Sequence, residues 1–500
     1  MTPGGKTVPA EKQTRLVPWR PTAVLAASGL ASAGVYLLLT VRMSLQRFFP
    51  GPGISIDFQR MLGPNWRANT LFLYGSFAVL LALWLAAIAA VRRLPRRTAR
   101  LLVFGMPVLF IAVLASMYPP LAVDFFLYLS DGRLLWIYGA NPMTSPVGAH
   151  FPVALSFGNQ PSPYGPLWHL LLAPPVLFGG DSYLRSLILL KLWMGGFYLA
   201  CAALTWAIAR RLAPGRESLA VVLLAWNPFV VIRVLGNGHN DVVMMFFVLL
   251  ALWAALHDRW RLVPIALAAS VLIKYVSLLL APAFLVCALR RPAKERGRAV
   301  AGLATGTSVA LLLTVTAFAP FWQGLATFNA LRQQANMLIT STPLLLDYQL
   351  RQWLSLDSAT ATALATRITT IVFLSVGLVL FVRQRPGATA LVATAAGVML
   401  AYTLIAVGWF RPWYLLWVVL LTPLLSGRWW LLLTVTASAA GLLPDVIEQY
   451  RAHIGWLRPH DFWLLAAPVA VTFLPPLLVW LLGLWRTRRL ELDAGEPASV

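Results

Sequence analysis

Apolar runs of about twenty residues recur from one end of this chain to the other, separated by short polar or basic segments. A bilayer core about 30 Å thick asks for roughly 20 apolar residues per helix. The pattern therefore predicts spans near 21–40, 70–91, 101–118, 186–209, 217–234, 241–256, 299–319, 366–383, 388–407, 412–426, 429–444 and 462–483. The stretch 262–289 is long for one helix and short for two, and it contains Pro264, Lys274 and Pro282. Read as a hairpin of two short helices, it brings the expected total to about 14 spans, within a range of 12–14. The expected fold class is an all-α polytopic membrane protein with long external loops and interfacial helices. Its expected organisation is a tail 1–20, one transmembrane domain over 21–483 and a tail 484–500. The two main external loops are 119–185 and 320–365.

Charge tests that topology, because Lys and Arg collect in cytoplasmic loops. One alternating set of segments holds 25 of the 40 basic residues, including the clusters Arg92–Arg100 and Arg290–Arg298. That side is expected to be cytoplasmic, with both termini on it. A single span at 262–289 would throw the second cluster outside, so parity favours the hairpin. The weak apolar run 166–178 is left at the outer surface for the same reason. The net charge of +23 then reads as a topology signal with attraction to anionic lipid, and nucleic-acid binding is not expected. Composition agrees: 59% of residues are hydrophobic and 11% charged, far from a soluble domain. Cys201 and Cys287 fall inside apolar runs and read as buried free thiols. The basic lead into the first span reads as a signal anchor without a cleavage site.

In this topology Asp57, Asp124, Asp131, Asp181, Asp241, Asp347, Asp357, Asp445, Glu448 and Asp461 fall on the external side or its boundary. The inner loops leave no room for a soluble catalytic domain, and no Walker-type or dinucleotide Gly-rich loop is present. Three constellations stand out. Asp124, Tyr128 and Asp131 share one face of a helix expected to lie on the membrane surface, followed by turns at Gly139, Asn141-Pro142 and Pro161–Pro166. An ion pair of Asp124 with Arg133, or a helix cap, is the plain alternative. The turn Gly236-Asn237-Gly238-His239-Asn240-Asp241 puts polar groups at the mouth of a bundle, where they are expensive unless they serve a cap or a site. Lys274 is an ammonium in an apolar run, to be paired with an anion or solvated at the turn. Arg411, among Trp409, Trp413 and Tyr414, is either an aromatic-belt anchor or a guanidinium fork for a lipid phosphate. Arg332 and Arg351 are further external cations. No Cys/His cluster has zinc spacing, and a divalent cation held by Asp124 and Asp241 is an open alternative without being required.

The pattern D-x-x-x-Y-x-x-D-G-R, then G-x-N-P and Y-G-P-x-W, is carried by Asp124, Tyr128, Asp131-Gly132-Arg133, Gly139, Asn141-Pro142 and Tyr164–Trp168. It resembles the polyprenol-phosphate-mannose-dependent mannosyltransferases of bacteria. So do Asn227-Pro228, Gly238-His239-Asn240-Asp241, Lys274 and the Pro412-Trp413-Tyr414-x-x-Trp417 segment. Met143 departs from the aromatic that the family tends to place after Asn-Pro. The resemblance implies a C-type glycosyltransferase fold and an inverting enzyme of the cell membrane with its site on the external face. It implies a polyprenyl-phosphate sugar as donor, a glycan or glycolipid as acceptor, and Asp124 as catalytic carboxylate. Arg411, Lys274 and His239 are the candidates for the donor phosphate. Tyr128, Asp131, Arg133, Asn141, Tyr164, Asn240 and Asp241 are the candidates for the sugar and acceptor pocket. A lipid-linked sugar flippase and a scaffold subunit are the alternatives from other classes, distinguished by whether polar groups sit at the midplane or at one face.

Overall fold

The computed structural model describes residues 19–48, 66–94, 96–119, 122, 124–147, 160–443 and 462–493. The expectations for Asp57, Asp445, Glu448 and Asp461, for most of the tails and for the loop 445–461 lie outside these residues. Among the described residues the regular structure is helical, with only isolated β-bridges. The helices that matter below are α1 (Trp19–Arg42), α2 (Trp66–Val91), α3 (Arg96–Leu114), α4 (Asp124–Trp136), α5 (Pro166–Leu171), α6 (Ala173–Gly179), α7 (Tyr183–Leu212) and α8 (Glu217–Ala225). They continue as α9 (Asp241–Leu256), α10 (Leu262–Val271), α11 (Ala281–Leu289), α12 (Ala293–Phe318), α13 (Thr342–Leu354) and α14 (Ser358–Val382). The last are α15 (Ala388–Ala401), α16 (Arg428–Leu442) and α17 (Phe462–Asp493).

Among the described residues seven helices are long and apolar enough to cross a bilayer, or eight if α8 and the bent segment Pro228–Gly236 form one span. The chain is thus an all-α polytopic membrane protein. α1 packs on α2 and α3, α7 on α6, α8 and α9, and α9 in turn on α10. Their inward stripes merge into one apolar core, while α12 and α14 turn most of their surface outward. In water that exposure would be unfavourable at about 25 cal/mol per Å², whereas acyl chains accept it.

The remaining apolar segments are short. Proline explains two breaks: Pro228 starts a new turn after Asn227 bent 48° from α8, and Pro412 and Pro423 divide 412–424 into one-turn pieces. The expected span 412–426 is therefore a chain of 3-10 and α turns. The 262–289 stretch breaks at Leu272–Lys274 between α10 and the 3-10 turn Tyr275–Leu280. Its two ends come together, since Asp258 before it pairs with Arg291 after it at 2.5 Å, while Lys274 at its break reaches Asp241 at the far end of α9.

The helix α4 corrects an expectation. Rather than showing one exposed polar face, Phe125–Leu134 is buried almost continuously by the protein, with exposure returning only near Trp136–Gly139. Large apolar groups occur on every face of this helix, so a surface position would leave Phe125, Phe126 or Leu129 uncovered.

Candidate active site

The site is built where α4, the 237–240 turn, the Lys274 break and the Pro412 turns meet. Asp124 is the first residue of α4, and its side chain keeps 21% exposure. The oxygen Oδ2 lies 3.7 Å from Nδ1 of fully buried His239. Burial raises the Asp124 carboxyl to about 6, with Lys274 and Arg411 drawing it down and Asp241 pushing it up. The same cations and Arg233 act with burial to hold His239 well below its ordinary range, so its ring is neutral.

The turn that presents His239 is fixed by its backbone. The bent segment ends in a π turn, Ile232–Gly236, and Gly238 has φ +74, a region that favours glycine. A Cβ at Gly238 would stand 2.4 Å from Phe125, so α4 sits directly on the turn. Asn240 occupies the cap position of α9 yet makes no side-chain cap there, which removes the plain capping account for that residue. Its Oδ1 instead accepts from the Tyr128 hydroxyl at 3.1 Å. Tyr164 donates to Tyr128 at 3.4 Å, and Tyr128 meets Tyr164 and Trp168 edge-on.

Asp241 is fully buried and is held by the Lys274 ammonium at 2.8 Å and the Trp417 indole at 2.6 Å. Lys274 is only 15% exposed and sits amid Tyr164, Tyr414 and Trp417, with the Tyr414 ring centroid 4.7 Å away. This cage settles the choice between solvation and an ion pair. Gly165 permits it: Gly165 and Leu167 donate to the carbonyls of Ile273 and Leu272, and a Cβ at Gly165 would overlap the Leu272 oxygen. On the other flank, Trp413 stacks on His239 with ring centroids 3.9 Å apart, and the Arg411 guanidinium lies over Trp409 and Trp413.

Several polar atoms here make no hydrogen bond to the protein among the described residues. Both nitrogens of His239, both amide atoms of Asn237, Asn240 Nδ2, Asp241 Oδ2 and Trp413 Nε1 are buried without one among the described residues. Such groups cost about 1–3 kcal/mol each if left unsatisfied, and their concentration on one turn makes it the candidate place for a polar ligand.

Other expected site residues are used by the scaffold. Arg133 donates to the Gly180 carbonyl at 2.8 Å and lies over Tyr183. Asn141 donates to the Phe321 carbonyl and accepts from Met143 in a local turn. Asp131 is buried, and burial raises its carboxyl to about 7 against the opposing effect of Ser162. Arg351, expected on the external side, pairs with Asp347 at 2.9 Å, and Asp357 caps α14. Arg332 lies exposed in a short helix away from these contacts. Two functional neighbours escaped sequence reasoning. Lys191 on α7 is buried and donates to the carbonyls of Leu235 and Gly236 beneath the turn, and Arg233 donates to the Gly441 carbonyl at 2.6 Å. Each is a lone cation in an apolar run, the signal that singled out Lys274. Among the described residues no three His, Cys, Asp or Glu side chains gather as a metal cluster. Cys201 and Cys287 are free and buried.

An apolar helical bundle carrying a cluster of polar side chains around Asp124 and Asp241 at one end of α9 defines a polytopic membrane protein with a candidate site. The chain belongs to the family described as "Alpha-(1->6)-mannopyranosyltransferase, N-terminal domain", whose model matches residues 26–290. That match takes in Asp124, His239, Asp241 and Lys274, while Arg411 to Trp417 lie beyond it. The chain is also similar to "Alpha-(1->6)-mannopyranosyltransferase A" of Mycobacterium tuberculosis, at 24% identity over 309 residues covering 59% of this chain. The matched region is 56% of that relative, a little over half its length. A mannosyltransferase family does not favour the flippase alternative.

Proposed function

We propose that the chain is an inverting membrane mannosyltransferase that takes mannose from a polyprenyl-phosphate donor and passes it to a hydroxyl of a glycan or glycolipid. The observation that carries this reading is Asp124: a part-exposed carboxylate raised to about 6, beside neutral His239 and within the field of Lys274 and Arg411. In the proposed step the acceptor hydroxyl gives its proton to Asp124 as its oxygen bonds to the anomeric carbon. The bond from that carbon to the phosphate oxygen breaks on the opposite face, and the lipid phosphate leaves with the electron pair. Base assistance of this kind is typically worth about 10²- to 10⁴-fold. Arg411 and Lys274 supply positive charge for the leaving phosphate, the first with a planar fork, the second from its aromatic cage. Neutral His239 offers a ring nitrogen to the same group. Tyr128, Tyr164, Asn240 and Asp241 shape the sugar pocket, directly or by holding one another.

The relative's name specifies an alpha-(1->6) linkage. If this chain forms the same bond by one displacement, the donor's anomeric bond is β. The short basic segments opposite the Asp124 end and the polar groups around it support a site on the external face. There a lipid-linked sugar is available and cytosolic nucleotide sugars are not. The test supplies purified chain in lipid vesicles with mannoside acceptors and either radiolabelled polyprenyl-phosphate mannose or GDP-mannose. Label reaching the acceptor from the lipid donor alone supports the reading; transfer from GDP-mannose, or from neither, contradicts it.

A further inference from the structure

A second polar feature lies at the other end of α9. Its 16 residues rise about 24 Å from Asp241, and there the chain turns through Asp258–Arg261 into α10. A cavity of 560 Å³ opens between this turn and the early part of α12, lined by Asp258, Arg259, Trp260, Arg261, Leu262 and Arg298, with Ala301 and Gly302 behind. Its charge is not balanced from within. Asp258 is engaged by Arg291 at 2.5 Å, and Arg291 also meets Glu295 at 2.7 Å. Arg259, Arg261 and Arg298 are exposed, and none of the three has a carboxylate partner among the described residues. The guanidinium of Arg259 lies 5.1 Å over Trp253.

The convergence is built into the backbone. A Cβ at Gly306 would stand 2.2 Å from the Arg261 carbonyl oxygen, and one at Gly302 would stand 2.8 Å from the Trp260 side chain. Only glycine lets α12 press this closely on the turn. Arg298 lies four residues before Gly302, on the same face of α12, and is thereby aimed at the turn's own arginines. Trp260, 4% exposed, closes the floor. The rim is apolar: Leu262 is 39% exposed, and further along α12 Val309 and Leu312 are 41% and 67% exposed. The cavity wall is thus mostly apolar, with three exposed arginines along its edge, and it continues into a face suited to hydrocarbon.

We propose that this cavity binds the phosphate headgroup of an anionic glycerophospholipid, with Arg259, Arg261 and Arg298 as its donors and the acyl chains lying along α12. Guanidinium forks match phosphate oxygens in geometry, and basic pockets between membrane helices suit such headgroups. The apolar rim selects a lipid over free phosphate, which would gain nothing from it. The site is separate from the carboxylate pocket and stands whether or not the chain transfers mannose.

The test uses the full chain, delipidated in neutral detergent and titrated with phosphatidylglycerol, phosphatidylcholine or inorganic phosphate, with bound lipid counted by native mass spectrometry. Wild type is expected to retain phosphatidylglycerol roughly tenfold better than phosphatidylcholine. The variant Arg259→Gln/Arg261→Gln/Arg298→Gln loses that preference. A control, Arg210→Gln/Arg211→Gln/Arg383→Gln, removes the same charge elsewhere and keeps it. Circular dichroism checks helicity, and Arg298→Gln alone, with a smaller loss, replaces the triple variant should that one not fold. Equal losses in cavity and control variants, no preference in wild type, or displacement of the lipid by millimolar inorganic phosphate overturns the proposal.

Discussion

Asp124 carries the chemistry proposed for this chain, and its environment sets a pH dependence. A general base works deprotonated, and burial has raised this carboxyl to about 6. Transfer is therefore expected to be full above that value and to fall as pH drops through about 6, as kcat/KM against pH would record; a profile still flat at pH 5 contradicts this. Asp241 and Lys274 are coupled differently. Removing the ammonium leaves a fully buried carboxylate without its counter-charge, with only the Trp417 indole on it, and breaking a buried pair in this way typically costs about 3–5 kcal/mol. Lys274→Met should thus lower the melting temperature sharply, and Lys274→Met/Asp241→Asn should recover much of it without restoring transfer. Equal melting of the single and double variants would contradict the pairing. The positions of Asp124, Tyr128, Tyr164, His239, Asn240, Asp241, Lys274 and Arg411 around one pocket were legible in the motifs. What motifs could not reveal is the partner. Arg133 and Asn141 are as polar as Arg411, yet backbone carbonyls of Gly180 and Phe321 use them. Lys191 and Arg233 carried the same lone-cation signal as Lys274, but the backbone carbonyls that take them up leave no trace in a motif.

At the scale of elements, the site depends on breaks in helices more than on helices. The π turn Ile232–Gly236, the extended Lys274 and the Pro412 turns each project side chains that a continuous helix would turn elsewhere. Lys191 secures the first break through the Leu235 and Gly236 carbonyls and lies 5.4 Å from the Phe125 ring, next to Asp124. Lys191→Met keeps the volume and removes those hydrogen bonds. Transfer is expected to fall roughly ten- to a hundredfold through misplacement of His239 and Asp124. Melting should move little, because the ammonium's own burial cost goes with it. An unchanged rate in a steady-state assay would contradict this role. Pro412 and Pro423 could have marked the break in 412–424, which hydropathy alone read as one span; the π turn left no signature in sequence, and the burial of α4 was hidden because short apolar helices read alike on a surface and in a core.

Across the whole molecule, hydropathy was enough to identify an all-α polytopic membrane protein, since apolar length is a physical requirement of the bilayer. Length does not decide how the short segments α9, α10 and α11 share the bilayer with the seven or eight long ones, because their partners and breaks set that. The charge pattern makes a topological prediction that burial of Cys201 and Cys287 leaves readable. In intact cells a membrane-impermeant maleimide should label Asp181→Cys, and it should label Arg296→Cys only after permeabilisation. The reverse pattern would invert the proposed orientation. The most direct measurement of the central claim is mannose transfer from radiolabelled polyprenyl-phosphate mannose to a mannoside acceptor, wild type beside Asp124→Asn. The amide keeps the shape and removes the base. The variant is expected to be at least about 100-fold slower with its melting preserved, and near-wild-type transfer by Asp124→Asn would contradict the assignment.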